Sequence, residues 1–188
     1  MARARSPEKR QAILQAAVRE IGEAGLGAST ASIARSAGLA EGTMFTYFSS
    51  KDNLLNELYF ELKSDVYRRI HADFPKDSGL RERARHIWTA YLRWALEKPN
   101  ERKVSVLLNL SPIVSAATRE RIGAEREAVE QTMEELGKRG AFKDLPHGFA
   151  SSAMSAMQDA VMEMVTKNPR QKALLVEQAF EAFWRMAK

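Results

Sequence analysis

The fold of this chain is decided by residues 29–55, which read STASIARSAGLAEGTMFTYFSSKDNLL. Apolar residues recur in this stretch at helical spacing, and Gly38 interrupts the pattern. Because glycine tolerates the left-handed backbone that ends a helix, we predict a short helix before it and a second helix over 41–48. Ser50 can then cap a longer helix that runs to about Phe74.

Two short helices joined by a tight glycine turn have the geometry of a helix-turn-helix, whose second helix enters the major groove of DNA. Gly42 lets the backbone come close to base edges, and Thr43 and Thr46 offer hydroxyl and methyl contacts. Lys51, at the start of the next helix, can contact a phosphate. By spacing alone, an ordinary three-helix core with the same apolar pattern remains an alternative.

The residues before this stretch predict one more helix, with Ser6 as its N-cap and Pro7 at its first position. The formal net charge of the chain is +5, and residues 1–51 carry seven Lys/Arg against four Asp/Glu. This excess of positive charge favours polyanionic partners. Arg3 and Arg5 either form an arm that enters a DNA groove or belong to a solvated tail.

The rest of the chain is also helical in pattern, so the predicted fold class is all-α, with about nine helices. Beyond a linker over residues 75–79, we predict helices at 79–97, 100–110, 112–138, 147–167 and 169–187. The pairs Ser111-Pro112 and Asn168-Pro169 each join a capping side chain to a proline, which indicates a helix start.

Composition argues against several classes of protein. The absence of cysteine excludes disulfides and thiolate metal sites, and no apolar run is long enough to cross a membrane. A signal peptide is not apparent, so we expect a cytoplasmic protein. His71, His86 and His147 are scattered, and there is no Gly-rich phosphate loop or Gly-x-Ser-x-Gly elbow. We therefore predict neither an enzyme, nor a metal site, nor a cofactor.

Residues 9–60 closely resemble the DNA-binding signature of the TetR family. The resemblance rests on Ala37-Gly38, Gly42-Thr43, Tyr47-Phe48 and Ser50-Lys51. It implies base contacts by Gly42 and Phe45 and phosphate contacts by Ser29 or Thr30, Tyr47 and Lys51. Two residues depart from the family pattern, because Phe45 replaces a frequent tyrosine and Ala40 replaces a serine that would cap the recognition helix.

The wider chain is similar to RamR-type regulators of efflux genes within this family. This similarity rests on residues 40–43, 58–59, 87–88 with Trp94, and 180–185. It implies a DNA-binding domain over residues 1–52 and a ligand-binding and dimerisation domain over 53–188, joined by the long fourth helix. The implied function is a repressor of efflux or stress-related genes that an apolar or cationic small molecule releases from a palindromic operator.

Large adaptable side chains in the second half suit a pocket for such an effector. The predicted ligand-binding residues are Tyr59, Trp88, Ser151 and Met154, where the resemblance to RamR-type regulators implies pocket residues, together with Tyr91, one of the large side chains at helical spacing. The alternative is that the aromatic and methionine side chains are simply core, which for any single residue is the more common case.

The last two helices carry enough apolar surface for a four-helix interface between two copies, which predicts a homodimer. Packing of these faces within one chain is the alternative. For the whole protein, the competing function is a helical small-molecule-binding protein without DNA-binding activity. Salt-sensitive binding to its own upstream DNA would separate the two.

Overall fold

The computed structural model describes residues 6–188, except for the side chain of Ala124. Over these residues the chain forms nine α-helices and no β-strand, which confirms the predicted all-α fold. None of these described helices combines the length and apolar content needed to cross a bilayer. The predicted arm of Arg3 and Arg5 lies outside the described residues. The helices are α1 (Pro7–Ala24), α2 (Thr30–Ser36), α3 (Glu41–Tyr47), α4 (Lys51–His71), α5 (Leu80–Glu97), α6 (Pro99–Asn109), α7 (Ala116–Gly137), α8 (Phe149–Lys167) and α9 (Lys172–Met186).

Capping side chains define the starts of α1 and α4, as predicted at Ser6 and Ser50, and also the start of α2. The hydroxyl groups of Ser6, Ser29 and Ser50 each accept a hydrogen bond from the backbone N–H three residues later. Gly38 follows α2 with φ of +70°, a conformation that costs little only for glycine. The chain can therefore leave α2 and enter α3 within a few residues.

The predicted start of α7 at Ser111-Pro112 is wrong. α7 begins at Ala116, where the Ser115 hydroxyl accepts from the Thr118 N–H at 3.1 Å. The side-chain oxygen of Asn56, on α4, accepts from the Ser115 N–H at 2.9 Å and from the Thr118 hydroxyl at 2.8 Å. Because this carboxamide binds the backbone just before Ala116, Pro112 lies in a turn and not in the helix.

The predicted cap at Asn168-Pro169 is also wrong. Asn168 gives no side-chain hydrogen bond to the next helix, and its N–H donates to the Met164 carbonyl, so it closes α8. A short 3₁₀ turn over Pro169–Gln171 then leads into α9 at Lys172. Asn168 therefore ends α8 and precedes the 3₁₀ turn without capping it, while Pro169 lies in the first turn of that segment, as predicted.

The chain packs into two compact units. The first contains the residues up to Asp65 together with Lys98–Gly123, and the second contains Val66–Glu97 together with Ala124–Lys188. Residues 52 and 53, on either side of the predicted domain boundary, both fall in the first unit, within α4. A division of function at that point stays a prediction.

The first unit has its core where α1 packs against α2 and α6 and where α2 packs against α3. The Lys103 ammonium of α6 donates to the Gly22 carbonyl near the end of α1, at 2.5 Å. The helix-turn-helix is therefore part of a unit that α6 and the start of α7 complete. Its large, fully buried side chains include Ile13, Ile21, Ile33, Met44, Phe48, Leu54, Leu55 and Leu58.

The second unit has an aromatic core where α5, α8 and α9 pack together. Trp88 of α5 is fully buried and stacks on Phe183 of α9, with ring centroids 6.3 Å apart. Phe180 lies 6.1 Å from the same indole, and Phe142 lies 5.6 Å from Phe183. Large rings bury much apolar area per side chain, so this cluster contributes strongly to the stability of the unit.

Candidate functional site

The short helix α3 buries one face and exposes the other. Met44 of α3 is fully buried and Phe48, just after the helix, is 1% exposed, so these two side chains anchor α3 to the core of the first unit. Glu41, Gly42, Phe45 and Thr46 are exposed, and Thr43 and Tyr47 are partly exposed. Phe45 keeps 42% of its surface accessible, so an apolar ring stands where a thymine methyl group could be contacted.

Gly42 is not required by the packing of the chain itself. A Cβ added at this residue would meet no other atom within 4 Å, and Gly42 is not among the glycines with positive φ. Neither sterics nor backbone conformation therefore explains a glycine in the first turn of α3. What the missing side chain leaves is an exposed backbone that a partner surface can approach closely.

The starts of α2 and α3 are joined by a pair of side chains that lie eleven residues apart. The Thr30 hydroxyl donates to the Glu41 carboxylate at 2.5 Å, on the exposed side of the helix-turn-helix. Thr30 is one of the predicted phosphate contacts, but in the structure its hydroxyl donates its proton to Glu41. Sequence reasoning missed this role of Glu41, because no local pattern relates the two residues.

Lys51 also has a partner inside the chain. Its ammonium donates to the Leu26 carbonyl at 2.8 Å, in the 3₁₀ turn over Gly25–Gly27 that follows α1. An ammonium has three donors, so this bond leaves capacity for a phosphate oxygen. The phosphate contact of Lys51 stays a prediction, and the structure adds a bond from α4 to the turn after α1.

The Tyr47 hydroxyl lies at the start of α1. It accepts a hydrogen bond from the Ser6 backbone N–H at 3.2 Å. The phenolic hydroxyl therefore lies at the positive end of the α1 dipole. A hydroxyl in this position is suited to bind a phosphate oxygen. Ser29, the other predicted phosphate contact, is exposed and caps α2 through its hydroxyl.

The five predicted ligand-binding residues do not all fall in one unit. Tyr59 belongs to the first unit, where its hydroxyl donates to Asn109 at 2.7 Å. Lys63 and Arg119 each lie within 5.6 Å of the centre of its ring. The Tyr59 ring therefore already has cationic neighbours from the chain.

The other four predicted residues, Trp88, Tyr91, Ser151 and Met154, belong to the second unit. The indole N–H of Trp88 donates to the Val176 carbonyl at 3.0 Å, so this side chain is a satisfied member of the core. Tyr91 is partly buried beside Trp94, and Met154 is 4% exposed. A ligand contact at Trp88 or Met154 would require these packed side chains to change partners.

A groove of about 430 Å³ opens in the second unit beside the C-terminal half of α7. Its size is within the range of small-molecule sites. Buried Met133, Phe142 and Ala150 form an apolar floor, and exposed Glu130 and Glu134 stand on the α7 side. Ser151 is the predicted ligand residue that lines it. The full lining is Glu130, Met133, Glu134, Gly137, Lys138, Phe142, Leu145, Pro146, His147, Gly148, Ala150 and Ser151.

Comparison with known proteins agrees with the geometry of the first unit. Residues 13–58 match a family model described as bacterial regulatory proteins, tetR family. The HTH-type transcriptional regulator BetI of Stenotrophomonas maltophilia (strain R551-3) is 30% identical over 112 residues. That match takes in 50% of this chain and spans 57% of the length of BetI.

The solved structure of a tetR family transcription regulator from Shewanella sp. PV-4 extends the likeness to nearly the whole chain. It matches with a TM-score of 0.80 and 27% identity, over 96% of this chain and 97% of the other. Residues 13–58 of the chain therefore form a TetR-family N-terminal domain. A TetR family transcription regulator from Marinobacter aquaeolei VT8 has the same fold as this chain, with a TM-score of 0.82, 23% identity and 94% of both chains covered. The finer resemblance to RamR-type regulators stays a prediction.

Helix α3 begins without a side-chain cap. Ala40 occupies the N-cap position and makes no capping hydrogen bond, as its sequence predicts. Glu41 in the first turn supplies negative charge at the positive end of α3 instead. The Thr30 hydroxyl orients that carboxylate, so the start of α3 is stabilised from α2 and not by its own cap.

A cluster of charges connects α1 to α4 and α7 within the first unit. Arg10 of α1 donates to Glu57 at 3.0 Å and to Glu61 at 2.7 Å, both on α4. Arg121 of α7 donates to Glu57 at 2.6 Å. The hydrogen bond from Arg121, with the charges of both arginines, lowers the pKa of Glu57 despite the opposing effect of partial burial.

Proposed function

We propose that this protein is a DNA-binding transcriptional regulator that acts as a homodimer and responds to a small molecule bound in its second unit. The observation that carries the proposal is the exposed face of α3, which Met44 and Phe48 anchor from below. A short, firmly held helix with an accessible glycine and an exposed aromatic ring is suited to reading base edges in the major groove.

The proposed DNA contacts fall into two classes. Gly42, Thr43, Phe45 and Thr46 on α3 would face bases and determine sequence preference. Ser29, Thr30, Tyr47 and Lys51 would contact phosphates and fix the register of the protein on the duplex. Support for the second class comes from the Tyr47 hydroxyl at the positive end of α1.

We further propose that a second copy of the chain covers α8 and α9. Ala156, Ala160 and Met164 follow one another at intervals of four on α8, and all three are exposed. Leu174 on α9 is 58% exposed. Exposed apolar side chains at helical spacing favour a helix-to-helix interface, and a twofold pair of heads can read a palindrome.

The regulator would act as a repressor of efflux or stress-related genes by occluding a promoter. Ligand would relieve repression if it binds the DNA-incompetent conformation more tightly than the DNA-competent one. The groove in the second unit supports an apolar or cationic effector, because its floor is apolar and it carries the carboxylates of Glu130 and Glu134.

A mobility-shift titration tests this function. Purified protein is titrated against the intergenic DNA beside its own gene, at several salt concentrations and with excess unrelated competitor DNA. A competitor-resistant shift that weakens steeply with salt is expected. Apolar and cationic aromatic compounds are then added, and release by any of them supports the effector class.

The competing function is a helical small-molecule-binding protein without DNA-binding activity. Thr30 donates to Glu41, and Lys51 donates to the Leu26 carbonyl. Both side chains are predicted phosphate contacts, so their hydrogen bonds within the chain favour this alternative. No shift at low salt, from protein that is folded and dimeric, would support this alternative. For the repressor assignment, a neighbouring promoter that falls silent when the gene is deleted would be decisive against it.

A further inference from the structure

Gln158 is a polar side chain in the otherwise apolar buried stripe of α8. It is 4% exposed, and its neighbours one turn away on the same helix face, Met154, Val161 and Met162, are all buried. The side-chain nitrogen of Gln158 has no hydrogen-bond partner among the described residues. A buried amide donor without an acceptor is costly and rare in folded proteins, so it needs an explanation.

The groove of the second unit lies at the N-terminal end of this same stripe. Ala150, on its floor, precedes Met154 by four residues and Gln158 by eight, which places the three on one helix face. At 1.5 Å per residue, Gln158 lies roughly 12 Å further along the helix axis than Ala150. Met154 lies between them, and an unbranched thioether side chain adapts readily to a change of rotamer.

We propose that Gln158 is the inner polar anchor of the effector site, and that the effector is an elongated apolar molecule with a neutral hydrogen-bond acceptor at its inner end. The molecule would enter at the groove, displace the Met154 side chain and place its acceptor on the Gln158 amide. This inference rests on the proposed ligand response of the second unit and adds to it the chemistry of the ligand.

We specify a neutral acceptor because the site has too few hydrogen-bond donors to stabilise a buried anion. One amide donor in apolar surroundings does not offset the desolvation of a carboxylate or phosphate. The groove also carries Glu130 and Glu134 against the single ammonium of Lys138, and this excess of negative charge disfavours entry of an anion. Ketones, esters, amides and alcohols on an extended apolar body remain as the ligand class.

Equilibrium dialysis with two matched probes tests the proposal. 2-Acetylnaphthalene carries a carbonyl oxygen, and 2-isopropenylnaphthalene has a methylene group in its place. The wild-type dimer is expected to bind the ketone about tenfold more tightly, since only the ketone satisfies the buried amide. Gln158→Met removes the donor at similar volume, so it should bind both probes with equal affinity.

Two controls separate the anchor from general effects on packing. Gln131→Met changes an exposed glutamine on α7 and should keep the tenfold preference. Met154→Trp narrows the path along α8 and should weaken both probes together. Without ligand, Gln158→Met should unfold at the same temperature as the wild type or a few degrees higher, because an unsatisfied donor has been removed.

Several outcomes would overturn the proposal. These are equal binding of both probes by the wild type, binding of neither, a preference that survives in Gln158→Met, or a Gln158→Met protein that fails to fold. None of these measurements involves DNA, so their failure is distinguishable from failure of the mobility-shift test. A protein that shifts DNA but does not distinguish the probes keeps the proposed function and loses Gln158 as its anchor.

Discussion

Gly42 lies in the first turn of α3, where alanine is the better helix former. Because no atom lies within 4 Å of a Cβ at this position, we expect Gly42→Ala to raise the free energy of unfolding by about 0.5 to 1 kcal/mol. If the α3 backbone approaches base edges, the same methyl group lowers DNA affinity by about tenfold or more. Urea unfolding and mobility shifts measure the two effects.

Gly123→Ala is the matched control for Gly42→Ala, which is expected to raise stability and lower DNA affinity. Gly123 lies inside α7, and a Cβ there also meets nothing within 4 Å. It should gain similar stability with no change in DNA affinity. Unchanged DNA binding by Gly42→Ala would show that nothing approaches the backbone of α3 at that residue.

Lys51 and Phe45 are expected to affect DNA binding in different ways. Lys51→Ala should weaken binding to all sequences by a similar factor and reduce the slope of log affinity against log salt by about one. Phe45→Ala should instead change the ranking of operator variants, since a base contact carries sequence information. Affinities for a set of operator variants at several salt concentrations test both. Parallel losses for the two substitutions across all variants would sink this division of roles.

At the scale of secondary-structure elements, the pairing of α1, α4 and α7 through Glu57 should be sensitive to acid. The pKa of Glu57 is lowered in the folded protein by Arg121 and Arg10. Its stabilising contribution is therefore complete above the unfolded pKa of about 4.3 and is lost as the pH falls through the lower, folded value. Glu57→Gln should melt below the wild type at pH 7, and the two midpoints should converge as the pH falls below the unfolded pKa of about 4.3.

Melting curves recorded across this pH range provide the measurement, and Glu163→Gln provides the comparison. The pKa of Glu163 is also lowered, by its hydrogen bond from Lys167, yet that ion pair is exposed. Exposed pairs contribute little to stability, so this variant should follow the wild type throughout. A gap between the melting midpoints of wild type and Glu57→Gln that does not narrow as the pH falls below about 4.3 would contradict the role given to the carboxylate.

Helix starts could be predicted where the cap and its target are neighbours in sequence, as at Ser6, Ser29 and Ser50. The start of α7 could not, because the group that organises it is Asn56, nearly 60 residues earlier. A serine followed by proline is a local signal, and here a distant side chain overrides it. Long-range side-chain partners of this kind leave no mark in helical periodicity.

The candidate site also combines features that the sequence predicts with features that depend on tertiary packing. The exposed face of α3 follows from the 3.6-residue period, which puts Met44 and Phe48 inside and Phe45 outside. The engagement of Thr30 by Glu41 and of Lys51 by the Leu26 carbonyl depends on tertiary packing. For the ligand residues, periodicity favoured large side chains on inner faces such as Trp88, which belongs to the core, whereas Ser151, which lines the groove, was implied only by the resemblance to RamR-type regulators.

At the scale of the whole molecule, the proposed dimer should depend on the exposed stripe of α8. Ala160→Glu places a charge in that stripe, where a second copy would bury it without a partner. We expect the variant to be a folded monomer with much weaker operator binding, while Ala117→Glu, an exposed change on α7, stays dimeric. Light scattering after size-exclusion chromatography reports the mass, and a dimeric Ala160→Glu protein would move the interface elsewhere.

The completion of the first unit by Lys98–Gly123 has a consequence for timing during protein synthesis. The end of α1 receives a hydrogen bond from Lys103, and α4 receives Arg121 and the turn before α7. A nascent chain that has exposed only its first 65 residues therefore holds the helices proposed to bind DNA without the residues that support them. The ribosome must translate past residue 123 before the first unit can reach its final packing, so the proposed DNA-binding surface is completed only late in synthesis of the chain.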